Sequence, residues 1–210
     1  KTTVLCKDTP AFIANRIGVY SIMAVFNVME KLGLSIDEVD ALTGPISGRP
    51  KSATFRTADV VGIDTLVKVA KNTYADCPND ESRDMFIVPA YVEKLIENKW
   101  LGDKTGNGFF KKVKNAEGKS EIHVLNLKTF EYTPSAKAKF ATVDAAKQID
   151  DVKSRIKALH HGTDKAGDFY RNVTALVNKY VSFRIPEIAD ELYKIDDAVK
   201  AGFGWELGPF

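Results

Sequence analysis

The first third of the chain places its apolar residues with the period of an α-helix. Five of them recur at helical spacing: Ile13, Ile17, Tyr20, Ala24 and Val28. This spacing predicts a helix over about residues 10–32 with one face turned inward. Thr9 is expected to cap the helix and Pro10 to occupy its first position, where the missing N–H costs nothing. Gly33 is expected to end it.

Further short helices are predicted before residue 110. Ser35 and Glu38 have the spacing of a capping box, so a second helix is expected to begin there and to stop at Gly44. A loop with two prolines and two glycines follows over about residues 44–57. Two more helices are predicted from their capping residues: one from Asp64 or Thr65 to about residues 71–74, and one from Pro89 to about residues 100–102.

After residue 109 helical spacing gives way to alternation. Residues 109–113 and 121–125 flank a turn-forming sequence at 115–118, which predicts a β-hairpin closed by Pro134. A charged helix is then expected over 141–159 and another over 168–180. Pro186 is expected to break or kink the following helical stretch, which resumes through Leu192.

A weak internal repeat relates the two ends of the chain. The pairs Ile36-Asp37 and Ile195-Asp196 each follow a long helix and precede a Gly-rich loop. On this register Asn15 corresponds to Thr174.

Composition narrows the class of protein. The 210 residues are 44% hydrophobic, which is enough for a core, and no apolar run approaches the length of a membrane span. The formal charge of +2, without a basic block interleaved with aromatic residues, disfavours nucleic-acid binding. Nothing at the N-terminus resembles a signal peptide. Cys6 and Cys77 are widely spaced, so they are interpreted as reduced thiols of a cytoplasmic protein.

Few residues suggest chemistry by themselves. Asn15 is a poor helix former close to the start of the first helix, and a half-buried amide there needs partners; local backbone is the ordinary one. No Gly-rich dinucleotide turn occurs anywhere in the chain. The three histidines have no motif or third ligand around them, so we expect structural or solvated roles and no metal site: His123, His160 and His161.

Five stretches together resemble the C-terminal domain of the 3-hydroxyacyl-CoA dehydrogenases, the NAD-dependent enzymes of fatty-acid β-oxidation. They are residues 8–16 (DTPAFIANR), 44–55 (GPISGRPKSATF), 59–65 (DVVGIDT), 104–110 (KTGNGFF) and 202–210 (GFGWELGPF). Their order matches the family, which makes the set more specific than any single motif. The chain resembles in particular the long bacterial forms that carry two such helical domains followed by a hydratase-like domain. In such two-copy forms one copy packs against the other, so the resemblance implies that residues 168–210 fold back onto the helices of residues 10–100. Four apolar side chains are expected to be buried between them: Phe183, Ile185, Ile188 and Leu192.

The resemblance implies a mainly α fold with a small β-hairpin linker and a partial second helical copy. It divides the chain into the end of a nucleotide-binding domain (1–9), a first helical domain (10–110), a linker with the hairpin and a helix (111–165), and a truncated second copy (166–210). NAD and the family's catalytic His–Glu pair would then belong to the domain upstream, so no cofactor is expected on this chain. Ala11 departs from the family, in which many members have Gly.

The resemblance also implies site residues. Asn15 matches an Asn that lies near the 3-hydroxyl group of the substrate, where an amide orients and polarises the reacting oxygen. In the loop after the second helix, Arg49, Lys51 and Ser52 are candidates for binding the phosphates and pantetheine arm of the acyl-CoA. The alternative for this loop is an ordinary polar surface on which Arg49 pairs with a carboxylate. The turn at 104–110 is expected to be structural.

Two other functions stay open at this point. The first is a helical interaction module that binds no substrate, in which Asn15 would pack inside the core. The second is the helical part of another NAD(P)-linked hydroxy-acid dehydrogenase, which a pantetheine-sized apolar channel beside Asn15 would disfavour.

Overall fold

Helix α1 (Ala14–Leu32) is the centre of the fold, because helices from both ends of the chain pack against it. The computed structural model describes residues 3–210, and within them the chain forms nine α-helices, three short 3₁₀ turns and one small sheet. The other helices are α2 (Ile36–Thr43), α3 (Phe55–Val61), α4 (Ile63–Asp76), α5 (Ala90–Glu97), α6 (Ala141–Ala146), α7 (Val152–His160), α8 (Lys165–Arg184) and α9 (Leu192–Phe203). The prediction of a mainly α fold is confirmed.

Helix α1 begins later than predicted. Ala11 and Phe12 have φ angles of 62° and 50°, in the left-handed region, so neither can belong to a right-handed helix. Ile13 occupies the N-cap without a side-chain hydrogen bond, and the buried hydroxyl of Thr9 has no partner within the described residues. The predictions that Thr9 caps the helix and that Pro10 is its first residue are therefore wrong. Gly33, with a φ of 63°, ends the helix as predicted.

The short helices follow their capping residues in two of three cases. At the start of α2 the Glu38 N–H donates to Ser35 Oγ at 3.3 Å and the Ser35 N–H donates to the Glu38 carboxylate at 2.8 Å, so the capping box is confirmed. Helix α5 begins after Pro89, although it ends at Glu97. Helix α4 instead begins at Ile63, directly after Gly62, and the Asp64 carboxylate pairs with Lys104 rather than capping the helix.

The hairpin is confirmed and carries a third strand. Strands β1 (Phe110–Lys114) and β2 (Ser120–Leu125) are antiparallel, with Phe110 opposite Val124. Strand β3 (Tyr132–Pro134) pairs with the other edge of β2, so Pro134 ends a strand that sequence analysis did not predict. The strand is only three residues long, too short for its alternation to stand out.

The charged stretch after the sheet forms two helices rather than one. Helix α6 ends at Ala146, and Asp151 caps α7 by accepting a hydrogen bond from the Ser154 N–H at 2.8 Å. Asp164 caps α8, so the helix begins at Lys165, before the predicted residue 168, and it continues past residue 180 to Arg184. These caps are short-range signals that apolar spacing alone did not reveal.

Helices α8 and α9 pack against α1, as the resemblance to two-copy enzymes implied. The rings of Tyr20 and Tyr180 stack in parallel between α1 and α8, with centroids 3.7 Å apart. Ile188 is fully buried and Ile185 partly so, but Phe183 and Leu192 are 57% and 44% exposed. The prediction that these last two are buried is wrong. Phe183 lies on the outer side of α8, whose inward face runs through four buried residues: Val177, Tyr180, Val181 and Arg184.

A buried ion network fastens α8 to α1. The guanidinium of Arg16 is fully buried and donates to Asp80 at 2.8 Å, to Glu187 at 2.5 Å and to the Tyr180 hydroxyl at 2.9 Å. Arg184 contacts the same two carboxylates from α8, at 3.3 Å and 2.8 Å. Buried charges of this kind are tolerated only when paired and hydrogen-bonded, so the network fixes how the two helices meet.

Candidate functional site

Asn15 is the second residue of α1 and its side chain is exposed. The expectation of a half-buried amide satisfied by local backbone is wrong, because this side chain forms no hydrogen bond within residues 3–210. The turn formed by Ala11 and Phe12 delays the start of the helix, so Asn15 lies at its open end. The carbonyl oxygen and the NH2 group of its side-chain amide are both free to contact a ligand.

Asn15 lines a cleft of about 350 Å³. One wall is α1, the second is formed by α3 and α4, and the third is the loop between Arg49 and Thr54. Most of the remaining lining is apolar: Val19, Ile22, Val61, Leu66, Val69 and Phe203. An apolar cleft with a few polar groups at its edge is the usual form of a small-molecule site.

The structure brings three of the four predicted site residues together. Asn15, Arg49 and Ser52 all line the cleft, whereas Lys51 is exposed and lies outside its lining. The Thr57 hydroxyl donates its one proton to the Ala53 carbonyl at 2.6 Å, so the Ser52 hydroxyl, 2.8 Å away, donates to Thr57 and keeps its lone pairs for a ligand. A role for any of these side chains in substrate binding stays a prediction.

Asp40 holds the loop that carries Arg49 and Ser52. Its carboxylate accepts hydrogen bonds from the backbone N–H groups of Thr54 and Phe55, at 3.1 and 2.7 Å, and from that of Arg56 at 3.0 Å. These are donors at the start of α3 that would otherwise lack partners. The loop is thereby tied to both α2 and α3.

Arg49 is a half-buried cation without a carboxylate partner among the described residues. The alternative that it pairs with a nearby carboxylate is therefore wrong. Its guanidinium lies 4.1 Å from the centroid of the Trp205 ring, a cation–π contact. Burial lowers the pKa of Arg49 to about 10, so the side chain stays charged at neutral pH. An uncompensated positive charge at a cleft favours an anionic ligand.

The turn at 104–110 is structural, as predicted. The buried carboxylate of Asp59 accepts hydrogen bonds from the backbone N–H groups of Phe109 and Phe110, at 2.9 and 2.8 Å. Burial raises the pKa of Asp59 to about 6, against these two hydrogen bonds, which lower it. A methyl group at Gly108 would lie about 2.1 Å from the same carboxylate, so only glycine fits there.

The histidines lie away from the cleft. His160 is hydrogen-bonded through Nδ1 to the Ile156 carbonyl and through Nε2 to the Thr174 hydroxyl, both at 2.8 Å. His123 is half-buried on β2. No group of three side chains able to hold a metal ion occurs among residues 3–210.

The described residues do not fit NAD. Dinucleotides are bound where a parallel strand leads through a Gly-rich turn into a helix. The sheet described in residues 3–210 has three antiparallel strands in the order β1-β2-β3, and none of them leads into such a turn. No helix in the same residues is long and apolar enough to cross a membrane.

Sequence analysis missed two sets of residues. Arg16 was not predicted as an important residue, because its partners lie 64 to 171 positions away along the chain and no local pattern indicates them. Phe203 and Trp205 were noted only as part of a motif, although both line the cleft beside Asn15. The motif itself was the available signal for this second pair.

Comparison with known proteins supports the resemblance. The family profile described as "3-hydroxyacyl-CoA dehydrogenase, C-terminal domain" matches residues 12–112. Residues 12–112 therefore belong to this family of dehydrogenase C-terminal domains. The matched range contains Asn15, Arg49, Lys51 and Ser52.

Relatives within the family match either the whole chain or part of it. A probable 3-hydroxyacyl-CoA dehydrogenase of Bacillus subtilis is 46% identical over the whole chain, which spans 26% of that protein. A probable 3-hydroxyacyl-CoA dehydrogenase of Deinococcus radiodurans is 44% identical over 57% of the chain and 34% of its own length. A putative fatty acid oxidation complex trifunctional enzyme of Rickettsia felis is 29% identical over the whole chain and 28% of its own length. The chain therefore corresponds to about a quarter to a third of these relatives.

A solved structure agrees in fold. The 3-hydroxybutyryl-CoA dehydrogenase of Escherichia coli superposes on the whole chain with a TM-score of 0.62, over 54% of its own length. Sequence identity is 15%, so this similarity concerns the fold alone. It extends over α8 and α9 as well as over the residues that the family profile matches.

Proposed function

We propose that this chain is the substrate-binding and assembly portion of an NAD-dependent 3-hydroxyacyl-CoA dehydrogenase, which oxidises 3-hydroxyacyl-CoA to 3-ketoacyl-CoA. The observation that carries the proposal is the 46% identity over the whole chain with a probable enzyme of that name. The open position of Asn15 supports it, because a substrate in the cleft can reach the amide.

In this proposal Asn15 orients the reacting oxygen. Its Nδ2 group donates a hydrogen bond to the substrate oxygen at carbon 3, and the bond strengthens as that oxygen acquires carbonyl character. The amide neither gives nor takes a proton at neutral pH. The His–Glu pair that moves the proton, and the site for NAD, would belong to a nucleotide-binding domain upstream of this chain.

Arg49, Lys51 and Ser52 would bind the coenzyme A part of the substrate. Arg49 carries the half-buried charge described above and would contact a phosphate group. Ser52 lines the same cleft and can accept a hydrogen bond from an amide N–H of the pantetheine arm. Lys51 is exposed and would add a weaker electrostatic attraction for the phosphate groups, which salt reduces by screening.

The remaining assignments complete the proposal. The domain boundaries are those predicted above, with the second copy at 166–210 serving assembly and a hydratase-like domain following downstream. The free thiols of Cys6 and Cys77 support a cytoplasmic location. The exposure of Asn15 weighs against a helical interaction module, and the size of the apolar cleft weighs against a small hydroxy acid as substrate.

The test is a dehydrogenase assay on the full-length protein. We expect it to reduce acetoacetyl-CoA with NADH, and absence of turnover would contradict the proposed function. The isolated 210-residue chain serves as the control. We expect no turnover from it, because its residues provide neither the nicotinamide site nor the His–Glu pair.

A further inference from the structure

Phe203, at the C-terminal end of α9, contacts α1 one turn away from Asn15. A methyl group at Gly18 would lie about 1.9 Å from the ring carbons of Phe203, so the absence of a side chain at Gly18 makes room for the ring. Gly18 is three positions after Asn15 and therefore lies on the same side of the helix. The aromatic ring thus covers the stretch of α1 that adjoins the amide.

The ring is also part of the cleft. Phe203 is half-buried, and it lines the 350 Å³ cleft together with Asn15 and Trp205. The ring therefore does more than join α9 to α1, because it also borders the space that is open to a ligand. Phe203 contributes apolar surface to that space from a helix outside the residues that the family profile matches.

The position of Phe203 is fixed from both sides. Gly204, with a φ of 65°, ends α9 and turns the chain, and the Glu206 N–H then donates to the Gly48 carbonyl at 2.8 Å. Trp205 contacts the Phe203 ring, with centroids 5.7 Å apart, and stacks on the guanidinium of Arg49. Two independent contacts therefore hold the ring against the loop that carries Arg49.

We propose that Phe203 forms the wall of the cleft against which the acyl chain lies beside Asn15, and so determines the length of acyl chain that the site accepts. This inference rests on the proposed function and makes the second helical copy a contributor to specificity. The apolar ring of Phe203 excludes the distal methylenes of a longer acyl chain by steric contact. The change of one methylene in an apolar pocket alters kcat/KM by about tenfold or more.

The test is Phe203→Ala in the full-length protein, assayed with 3-ketoacyl-CoA substrates of short and long acyl chains. We expect the ratio of kcat/KM for long over short chains to rise about tenfold. Phe203→Leu, which keeps an apolar contact with α1, is expected to shift the ratio in the same direction by a smaller factor. Phe183→Ala removes an equally large but exposed ring from α8 and is expected to leave the ratio unchanged.

The outcomes separate the two proposals. An active wild-type enzyme whose ratio is unchanged in both Phe203 variants overturns the inference and leaves the proposed function intact. The same conclusion follows if both variants alter KM equally for all chain lengths. If Phe203→Ala does not fold, Phe203→Leu decides, and an unchanged ratio in it overturns the inference. A wild-type protein without turnover on any acyl chain contradicts the proposed function and the inference together.

Discussion

Asn15 and Arg16 are neighbours in the first turn of α1, yet their side chains have opposite surroundings. Asn15 is exposed at the edge of a cleft and has no side-chain partner among the described residues, whereas Arg16 is fully buried and bonds to Asp80, Tyr180 and Glu187. Successive residues of an α-helix are about 100° apart around its axis, so one turn can serve two faces. The buried face fastens the helices together and the open face is left for a ligand.

Both faces are completed by the same distant segment. Helix α8 supplies Tyr180 and Arg184 to the buried network, and α9 supplies Phe203 to the cleft. The contrast therefore predicts that changes on the two faces separate stability from activity. Changes at Arg16 should act on folding, and changes at Asn15 and Arg49 on turnover and substrate binding.

The largest expected effect on stability is that of Arg16→Met. The change removes the guanidinium that pairs with the buried carboxylate of Asp80. We therefore expect the free energy of unfolding to fall by about 3–5 kcal/mol. Urea unfolding of the 210-residue chain measures this. Arg56→Met, which removes only an exposed ion pair with Asp103, is the matched control and should cost less than about 1 kcal/mol. Equal losses in the two variants would show that the buried network contributes no more to stability than an exposed ion pair does.

Arg49→Ala should weaken substrate binding without unfolding the chain. A charge-assisted hydrogen bond to a phosphate is worth about 1.5–3 kcal/mol, so KM for acetoacetyl-CoA in the full-length protein is expected to rise about tenfold or more. Lys153→Ala removes an exposed cation on α7, outside the cleft, and serves as the control. A KM that is unchanged by Arg49→Ala would assign this guanidinium to the contact with Trp205 alone.

The buried network should also make stability depend on pH. Burial alone would raise the pKa of Asp80, but hydrogen bonds from Arg16 and Tyr180 lower it below its ordinary value. A carboxylate with a lowered pKa in the folded state contributes stability above its unfolded pKa and loses it as the pH falls through the folded one. We therefore expect the melting temperature to drop on acidification below about pH 4, and the drop to be smaller in Asp80→Asn. A parallel decline in both proteins would assign the acid sensitivity to other carboxylates.

The smallest expected effect concerns the turn before α1. Ala11 has a φ of 62°, which costs a residue with a side chain about 1 kcal/mol and costs glycine nothing. Ala11→Gly should therefore stabilise the chain by about 0.5–1 kcal/mol, measured as a higher urea midpoint at an unchanged m-value. Ala175→Gly, at an exposed position inside α8, should instead lose about 1 kcal/mol. Destabilisation by both changes would contradict the strain assigned to Ala11.

Signals from neighbouring residues predicted the helices and strands, but they did not predict the contacts between distant segments of the chain. The capping box at Ser35 and the turn between β1 and β2 depend on residues within a few positions of each other, so the sequence reveals them directly. The left-handed turn at Ala11 has no such signal except the glycine that many family members carry there, and it displaced the predicted cap at Thr9. Tertiary packing decided that boundary.

The candidate site was predictable in its residues but not in its shape. Family resemblance selected Asn15 and Arg49, which the structure places on one cleft, yet the wall formed by Phe203 lies 188 positions further along the chain than Asn15. The burial of Arg16 depends on three partners from separate stretches of the chain: Asp80, Tyr180 and Glu187. Neither arrangement follows from spacing, because both depend on how α8 and α9 return to α1.

The most direct measurement is kcat of Asn15→Ala in the full-length protein, together with the melting temperature of the same sample. If the open face of α1 serves substrate, kcat should fall about 10²–10³-fold with little change in KM, and the melting temperature should stay that of the wild type. An unaltered kcat, or a loss of activity that follows a loss of stability, would contradict the separation of the two faces.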